Sequence, residues 1–169
     1  MLRNIGLFII KKLAIKKPQM RNTIPFAEAK RVGIIVNDLD KNKKAINHFI
    51  DSLEKAGKSV ELLGYTPPKQ APKLSIKYNA FSKKDFNWVG RCKQEGLKKF
   101  IKTDFDYLFS LNTSPFLPFD NILAQSKAKC RVGVFDDKRT DYFELMVQPS
   151  KKTDLNAVTE QMIRYTKLI

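Results

Sequence analysis

Residues 105–137 read FDYLFSLNTSPFLPFDNILAQSKAKCRVGVFDD, and this stretch decides the fold. Phe105 to Leu111 is apolar enough for a strand buried on both faces, and Cys130 to Phe135 is a second such run. Between them, Leu117 to Lys127 has the spacing of a short helix. Phe119, Ile122 and Leu123 form its inner stripe, and Ser126 follows at the next turn. Strand, helix and strand in that order make one βαβ unit, whose crossover should be right-handed.

A second unit lies upstream. Arg31 to Val36, RVGIIV, is a near-continuous β-branched run suited to a buried parallel strand. Ala45, Ile46, Phe49, Ile50 and Leu53 then mark one face of a helix over 41–56. Asp38 or Asp40 is its expected N-cap and Gly57 its stop. Val60 to Tyr65 is the second strand, and the proline-rich Thr66 to Lys73 is loop.

Leu74, Ile76, Tyr78 and Ala80 alternate with polar residues, which predicts a half-exposed strand at a sheet edge. Residues 82–103 are expected to be mostly helical, with Val89, Cys92, Leu97, Phe100 and Ile101 inward. After the central unit, Asp136 to Asp141 is a polar turn, and Phe143, Leu145 and Val147 alternate as a last strand. Thr153 or Asp154 caps a final helix with Val158, Met162, Tyr165 and Ile169 facing inward. The pattern predicts one α/β domain over 23–169, a three-layer sandwich around a mostly parallel sheet.

Residues 1–22 form a basic amphipathic arm ahead of that domain. Leu2, Ile5, Ile9 and Leu13 fall at helical spacing, and Ile10 and Ala14 widen the face. Lys11, Lys12, Lys16 and Lys17 follow with no acidic residue, and Pro18 ends the helix. The apolar run Ile5 to Ile10 falls far short of the roughly 20 residues of a membrane span. It has no small-residue cleavage site after it, so a secretory signal is not expected and the chain reads as cytoplasmic. Three uses of the arm stay open: packing on its own domain, lying on an anionic membrane surface through residues 1–17, or docking on RNA or a large partner.

Charge is the strongest global feature. Thirty-two Lys and Arg face seventeen Asp and Glu, a formal +15 in a chain of 169 residues. Such a surplus bears on partners: nucleic acid, an anionic membrane or an acidic protein. Standard cofactor sites are not legible. The first strand runs into NDLDKNKK, which is neither GxGxxG nor a Walker A loop. One histidine, His48, and two separated cysteines, Cys92 and Cys130, make no zinc set and no Cys-His pair. His48 reads as structural or surface, and both cysteines as buried free thiols. No cofactor, metal ligand set or catalytic residue is therefore assigned.

Two groups of residues could carry function. The ends of the parallel strands, where such sheets bind ligands, carry Asn37, Asp38 and Asp40, then Asn112, Thr113 and Ser114, then Asp136 and Asp137. If they converge they could hold a ligand or a Mg²⁺; otherwise they are helix caps and turn formers. The second group lies between Lys73 and Lys102. Lys77, Lys83, Lys84, Arg91, Lys93, Lys98 and Lys99 interleave there with Tyr78, Phe81, Phe86 and Trp88. Cations beside rings are what nucleic-acid surfaces use, for phosphates and for base stacking. The alternative is that the rings are core and the lysines a solvated face.

The stretches FDYLFSLN, LAQSKAKCRVGVFDD and YFELMV resemble an uncharacterised family of short, basic cytoplasmic α/β proteins of the Bacteroidetes group. Phe105, Asp106, Ala128, Arg131, Val132 and Gly133 also resemble, more weakly, the N-terminal half of heptosyltransferase-like glycosyltransferases. Both resemblances imply a Rossmann/flavodoxin-like sheet. The second implies no transferase activity here, because the donor-binding second domain of that family has no counterpart in this chain. The leading expectation is a non-enzymatic binding protein attached to RNA, on a ribosome or another ribonucleoprotein, through Lys and Arg contacts to phosphate. The alternatives are a degenerate sugar-nucleotide or small-molecule enzyme using the strand ends, and a peripheral membrane protein held by the arm.

Overall fold

The structure is a computed structural model that describes residues 2–15, 21–37, 39, 41–65, 78–87, 91–148 and 154–169. Six strands form one sheet: β1 (Arg31–Val36), β2 (Ser59–Tyr65), β3 (Asn79–Phe81), β4 (Tyr107–Ser110), β5 (Cys130–Val134) and β6 (Leu145–Val147). Every described pairing is parallel, and the order is β3-β2-β1-β4-β5-β6. This is the Rossmann order, in which the chain reverses direction across the sheet between β1 and β4. The helices are α1 (Leu2–Ile15), α2 (Lys43–Lys55), α3 (Glu95–Lys102), α4 (Leu117–Gln125) and α5 (Leu155–Thr166).

Alternation along the central strands feeds two cores. Val32, Ile34, Val36, Tyr107, Phe109, Val132 and Val134 face α2 and α5. Ile35 and Leu108 face α3 and α4, with Phe105 beside them. Both faces of these strands are buried, which is why they read as continuous apolar runs rather than alternating ones. Gly133 permits the second core to close. A Cβ there would collide with the ring of Phe143, so the ring lies on bare backbone. Gly57 ends α2 with φ +76°, a conformation glycine adopts without a Cβ penalty.

Several expectations need correction. The N-cap of α2 is Asn42, whose side chain does not cap the helix; Asp38 and Asp40 lie outside the described residues. Among the described residues of 82–103, α-helix begins only at Glu95. Before that, Ser82 and Asp85 close a 3-10 turn over Lys83–Asp85 through a capping box. Phe86 then bridges Cys92 in antiparallel fashion, with Asn87 N–H donating to Arg91 O at 2.8 Å. Cys92 is therefore half-buried on an extended segment, and Val89 lies outside the described residues. Of the edge strand expected from Leu74, only Asn79–Phe81 falls among the described residues as strand.

The last helix is rotated relative to the sequence reading. Asp154 caps it by accepting from Asn156 N–H, and Val158 and Met162 are buried, but Tyr165 and Ile169 are exposed. Leu155, Thr159 and Thr166 take the inner places. Thr166 can do so because its hydroxyl donates to Met162 O at 2.8 Å and so is paired inside.

The placement of α1 narrows the uses left open for the arm. It lies against α4, on the side away from the sheet, and so adds a layer outside the sandwich. In consequence α4 is covered on both sides, and Pro118 to Ala124 are all buried, Asp120 and Asn121 included. The row at helical spacing looks outward: Ile5, Ile9 and Leu13 are about half exposed, with Phe8 beside them. Nine of the fourteen α1 residues are apolar, too many for one stripe, so one side can face α4 while another remains in solvent.

Candidate functional site

The ends of β1 and β4 flank the point where the chain reverses, the usual ligand crevice of this fold. Asn112 is buried at the end of β4. It is 1% exposed, its Oδ1 accepts Asn37 N–H at 3.0 Å, and its Nδ2 donates to Ser110 Oγ at 3.4 Å. The first of these bonds ties the two strand ends together. Asn37, Thr113 and Ser114 line the small crevice above, about 170 Å³, with Lys41 and Leu155. A neighbouring cavity of about 470 Å³ lies between the starts of α2 and α5, walled by Lys41, Lys43, Lys44 and Asp154. Asp136 and Asp137 do not line either space. Asp136 caps the 3-10 segment Asp137–Tyr142 by accepting Lys138 N–H at 3.0 Å, and Asp137 is exposed.

The strand-end set therefore divides. Asn37, Thr113 and Ser114 come together in the crevice with the buried Asn112 bonded to Asn37, Asp136 serves as a cap, and Asp38 and Asp40 lie outside the described residues. Among the described residues no group of three or more His, Cys, Asp and Glu could hold a metal ion. The wall contributed by α2 is cationic, so the crevice chemistry among those residues suits an anion better than Mg²⁺. His48 is exposed on α2, and its carbonyl accepts a hydrogen bond from Ser52 Oγ at 2.8 Å.

The basic residues separate by side. Residues 82–102 carry seven cations and two carboxylates. Lys83, Lys84, Arg91, Lys93 and Lys99 are exposed there. Lys98 is not free: its Nζ lies 2.5 Å from Glu95 Oε1, a contact that raises the lysine pKa and lowers that of the glutamate. The two helices of the opposite side are nearly balanced within their own spans. There α2 and α5 together hold Lys43, Lys44, Lys55 and Arg164 against Asp51, Glu54 and Glu160. Two of the rings, Phe81 and Phe86, do not accompany the lysines to the surface. Phe81 and Phe86 are 2% and 0% exposed and meet edge to face at 6.0 Å. Lys16, Lys17, Lys77 and Trp88 lie outside the described residues.

In α1, Lys12 is exposed and sits 4.8 Å from the Phe8 ring centroid. Lys11 turns into the body, 5.0 Å above the Tyr142 ring and 3.7 Å from Asp120 Oδ2. Asp120 also receives Arg139 Nη2 at 2.6 Å, with both partners nearly fully buried. One carboxylate thus answers two cations beneath α1.

Three further charged clusters escape a sequence reading, because their partners are remote in the chain. Arg131 makes a two-toothed contact with Glu144, which Arg21 also approaches at 3.4 Å. Asp106 accepts Lys30 N–H, Arg31 N–H and Lys129 Nζ at 2.7, 2.9 and 2.7 Å. Burial raises the Asp106 pKa, but those donors outweigh it and hold the carboxyl below its ordinary value. Lys58 is buried and donates to the carbonyls of Phe26, Ala27 and Ala29, pinning the segment before β1. Burial pushes the thiols of Cys92 and Cys130 up to about 11 and about 12, so neither is a ready nucleophile.

Residues 3–169 match a family of unknown function, DUF6913. The chain belongs to that family. The match agrees with the likeness to an uncharacterised family; neither the Bacteroidetes group nor the heptosyltransferase-like outline is part of it. No curated protein and no solved structure matches the chain. DUF6913 thus supplies membership without an activity. Among the described residues no helix is long and apolar enough to cross a membrane.

Proposed function

We propose that this protein is a non-enzymatic docking protein that attaches to RNA, as part of a ribosome or another ribonucleoprotein, through phosphate contacts. The observation that carries the reading is the one-sided charge. Lys83, Lys84, Arg91, Lys93 and Lys99 are exposed on the α3 side, whereas α2 and α5 on the other side are nearly neutral. A lateral surplus gives a polyanion one face to dock on. With Phe81 and Phe86 in the core, these two rings are not available to stack on bases. Binding then rests on phosphate contacts, depends steeply on salt and has little sequence preference.

The test is sedimentation of lysate through a gradient at moderate salt. Comigration with ribosomes, release by RNase, and loss in a Lys83→Glu, Lys84→Glu, Lys93→Glu, Lys99→Glu variant are the expected results. With purified protein and single-stranded RNA, removing four phosphate contacts should flatten the slope of log K against log salt by about 3. Migration of the wild type at the top of the gradient at low salt refutes the reading.

A further inference from the structure

The outward side of α1 calls for a separate account. Ile5, Phe8, Ile9 and Leu13 are 50%, 45%, 49% and 55% exposed. They follow i, i+3, i+4, i+8 spacing and so form one continuous apolar ridge. Scattered apolar residues on a surface need no explanation, but a contiguous row of four large ones marks a contact. Phosphate contacts with RNA do not use such a ridge.

We infer that this ridge docks the protein on the surface of an anionic lipid bilayer. Three observations select that occupant. First, the charge is complementary. The first acidic residue of the chain is Glu28, and of the six cations before it Lys11 and Arg21 are engaged by Asp120 and Glu144, which leaves Arg3, Lys12, Lys16 and Lys17 as the basic residues of the segment outside those ion pairs. Exposed Lys12 lies next to the ridge, 4.8 Å from the Phe8 ring. A helix with large apolar residues on one side and cations beside them, and no acids, lies in the headgroup region of negatively charged membranes.

Second, the shape fits. α1 is a layer added outside α4, so its outer side is a ridge that a planar surface can receive. Third, the helix is already formed and anchored. Lys11 reaches Asp120 and the Tyr142 ring, and Ile15 packs against the core on the α4 side. Docking therefore requires no folding of a disordered arm, and that ordering cost is avoided. No helix described here spans a bilayer, so the contact is peripheral. The inference is independent of the RNA reading, because it uses the α1 ridge and not the α3 lysines.

The experiment is co-sedimentation of the full-length, RNase-treated protein with large vesicles. One set is phosphatidylcholine alone and the other contains phosphatidylglycerol. The variants are Ile9→Glu with Leu13→Glu, and Lys12→Glu. Both sites are exposed, so the thermal midpoint serves to confirm that the variants remain folded. The wild type should pellet with the phosphatidylglycerol vesicles only, and high salt should weaken it. The double variant should bind at least about tenfold more weakly, and Lys12→Glu severalfold. Three results overturn the inference. They are no pelleting of the wild type, equal binding by the folded double variant, and loss of ribosome association in that variant without any vesicle binding by the wild type. The last would assign the ridge to a protein or ribonucleoprotein partner. The α3 charge-reversal variant should bind vesicles through its intact ridge, so failure of the RNA reading is seen separately.

Discussion

Asp120→Asn should be the most damaging single change of its size in this protein. The substitution keeps the shape of the side chain and removes its charge. Asp120 is 4% exposed, lies 2.6 Å from Arg139 and 3.7 Å from Lys11, and sits in the first turn of α4. Arg139 is also 4% exposed, and its Nε has no hydrogen-bond partner among the described residues. Its charge is therefore answered by Asp120 and by little else. Removing one member of a buried ion pair costs about 3–5 kcal/mol, since the other charge stays desolvated. In a chain of this size that lowers the thermal midpoint by roughly 6–20 °C.

Urea unfolding followed by circular dichroism would measure the effect, with an unchanged m-value as the check that the two end states are comparable. Two comparisons isolate the cause. Lys11→Met removes a partly exposed partner at longer range and should cost no more than about 1 kcal/mol. Asp120→Leu combined with Arg139→Met should recover most of the loss, because no buried charge remains. A loss below about 1 kcal/mol for Asp120→Asn, or additive losses in the double variant, would refute the claim that Arg139 depends on Asp120.

The remaining predictions concern packing, pH and thiols. Gly133→Ala should destabilise by about 1–3 kcal/mol, because its Cβ would meet the Phe143 ring. Gly96→Ala in α3 has nothing nearer than Asn79 Oδ1 at 4.0 Å and should stabilise by about 0.5–1 kcal/mol; denaturation curves give both signs. Asp106 is held below its ordinary value of 3.8 in the folded state, so the unfolded chain binds the proton first as pH falls. Its contribution is present above that value and lost as pH falls through the folded pKa, and an Asp106→Asn variant should show a shallower acid decline in Tm over that range. With thiols pushed up to about 11 and about 12, Cys92 and Cys130 should react with a disulfide reagent at pH 8 far more slowly than free cysteine until urea is added. Fast reaction of either thiol in the native protein would contradict the burial described.

The parts legible in the sequence were those set by local pattern. RVGIIV, YLFS and CRVGV are strands because runs of apolar residues without alternation suit a sheet covered on both faces. The face of α2 followed from Ala45, Ile46, Phe49, Ile50 and Leu53, all buried as the spacing requires. The candidate site was less legible. Asn37 and Asn112 stand 75 residues apart, and their bond forms only because β1 and β4 are neighbours. The rings of Phe81 and Phe86 pass for a stacking platform in sequence, yet a core position and a surface position look alike to a residue count. Lys58, Arg131 and Asp120 carry buried charges whose partners are distant in the chain or on another element, beyond the reach of any local period.

The sequence by itself determined the alternation of strands and helices, the parallel sheet with two covered faces, and the acid-free basic start. Those properties depend on neighbours two to four residues away, where backbone geometry fixes which side chains share a face. The tertiary structure alone decided the strand order, the side of α1 that meets α4, and the burial of Phe81 and Phe86 in the core. α1 is apolar on more than one side, so its periodicity is satisfied by several orientations. Only the fit against α4, with Lys11 reaching Asp120, leaves Ile5, Phe8, Ile9 and Leu13 in solvent.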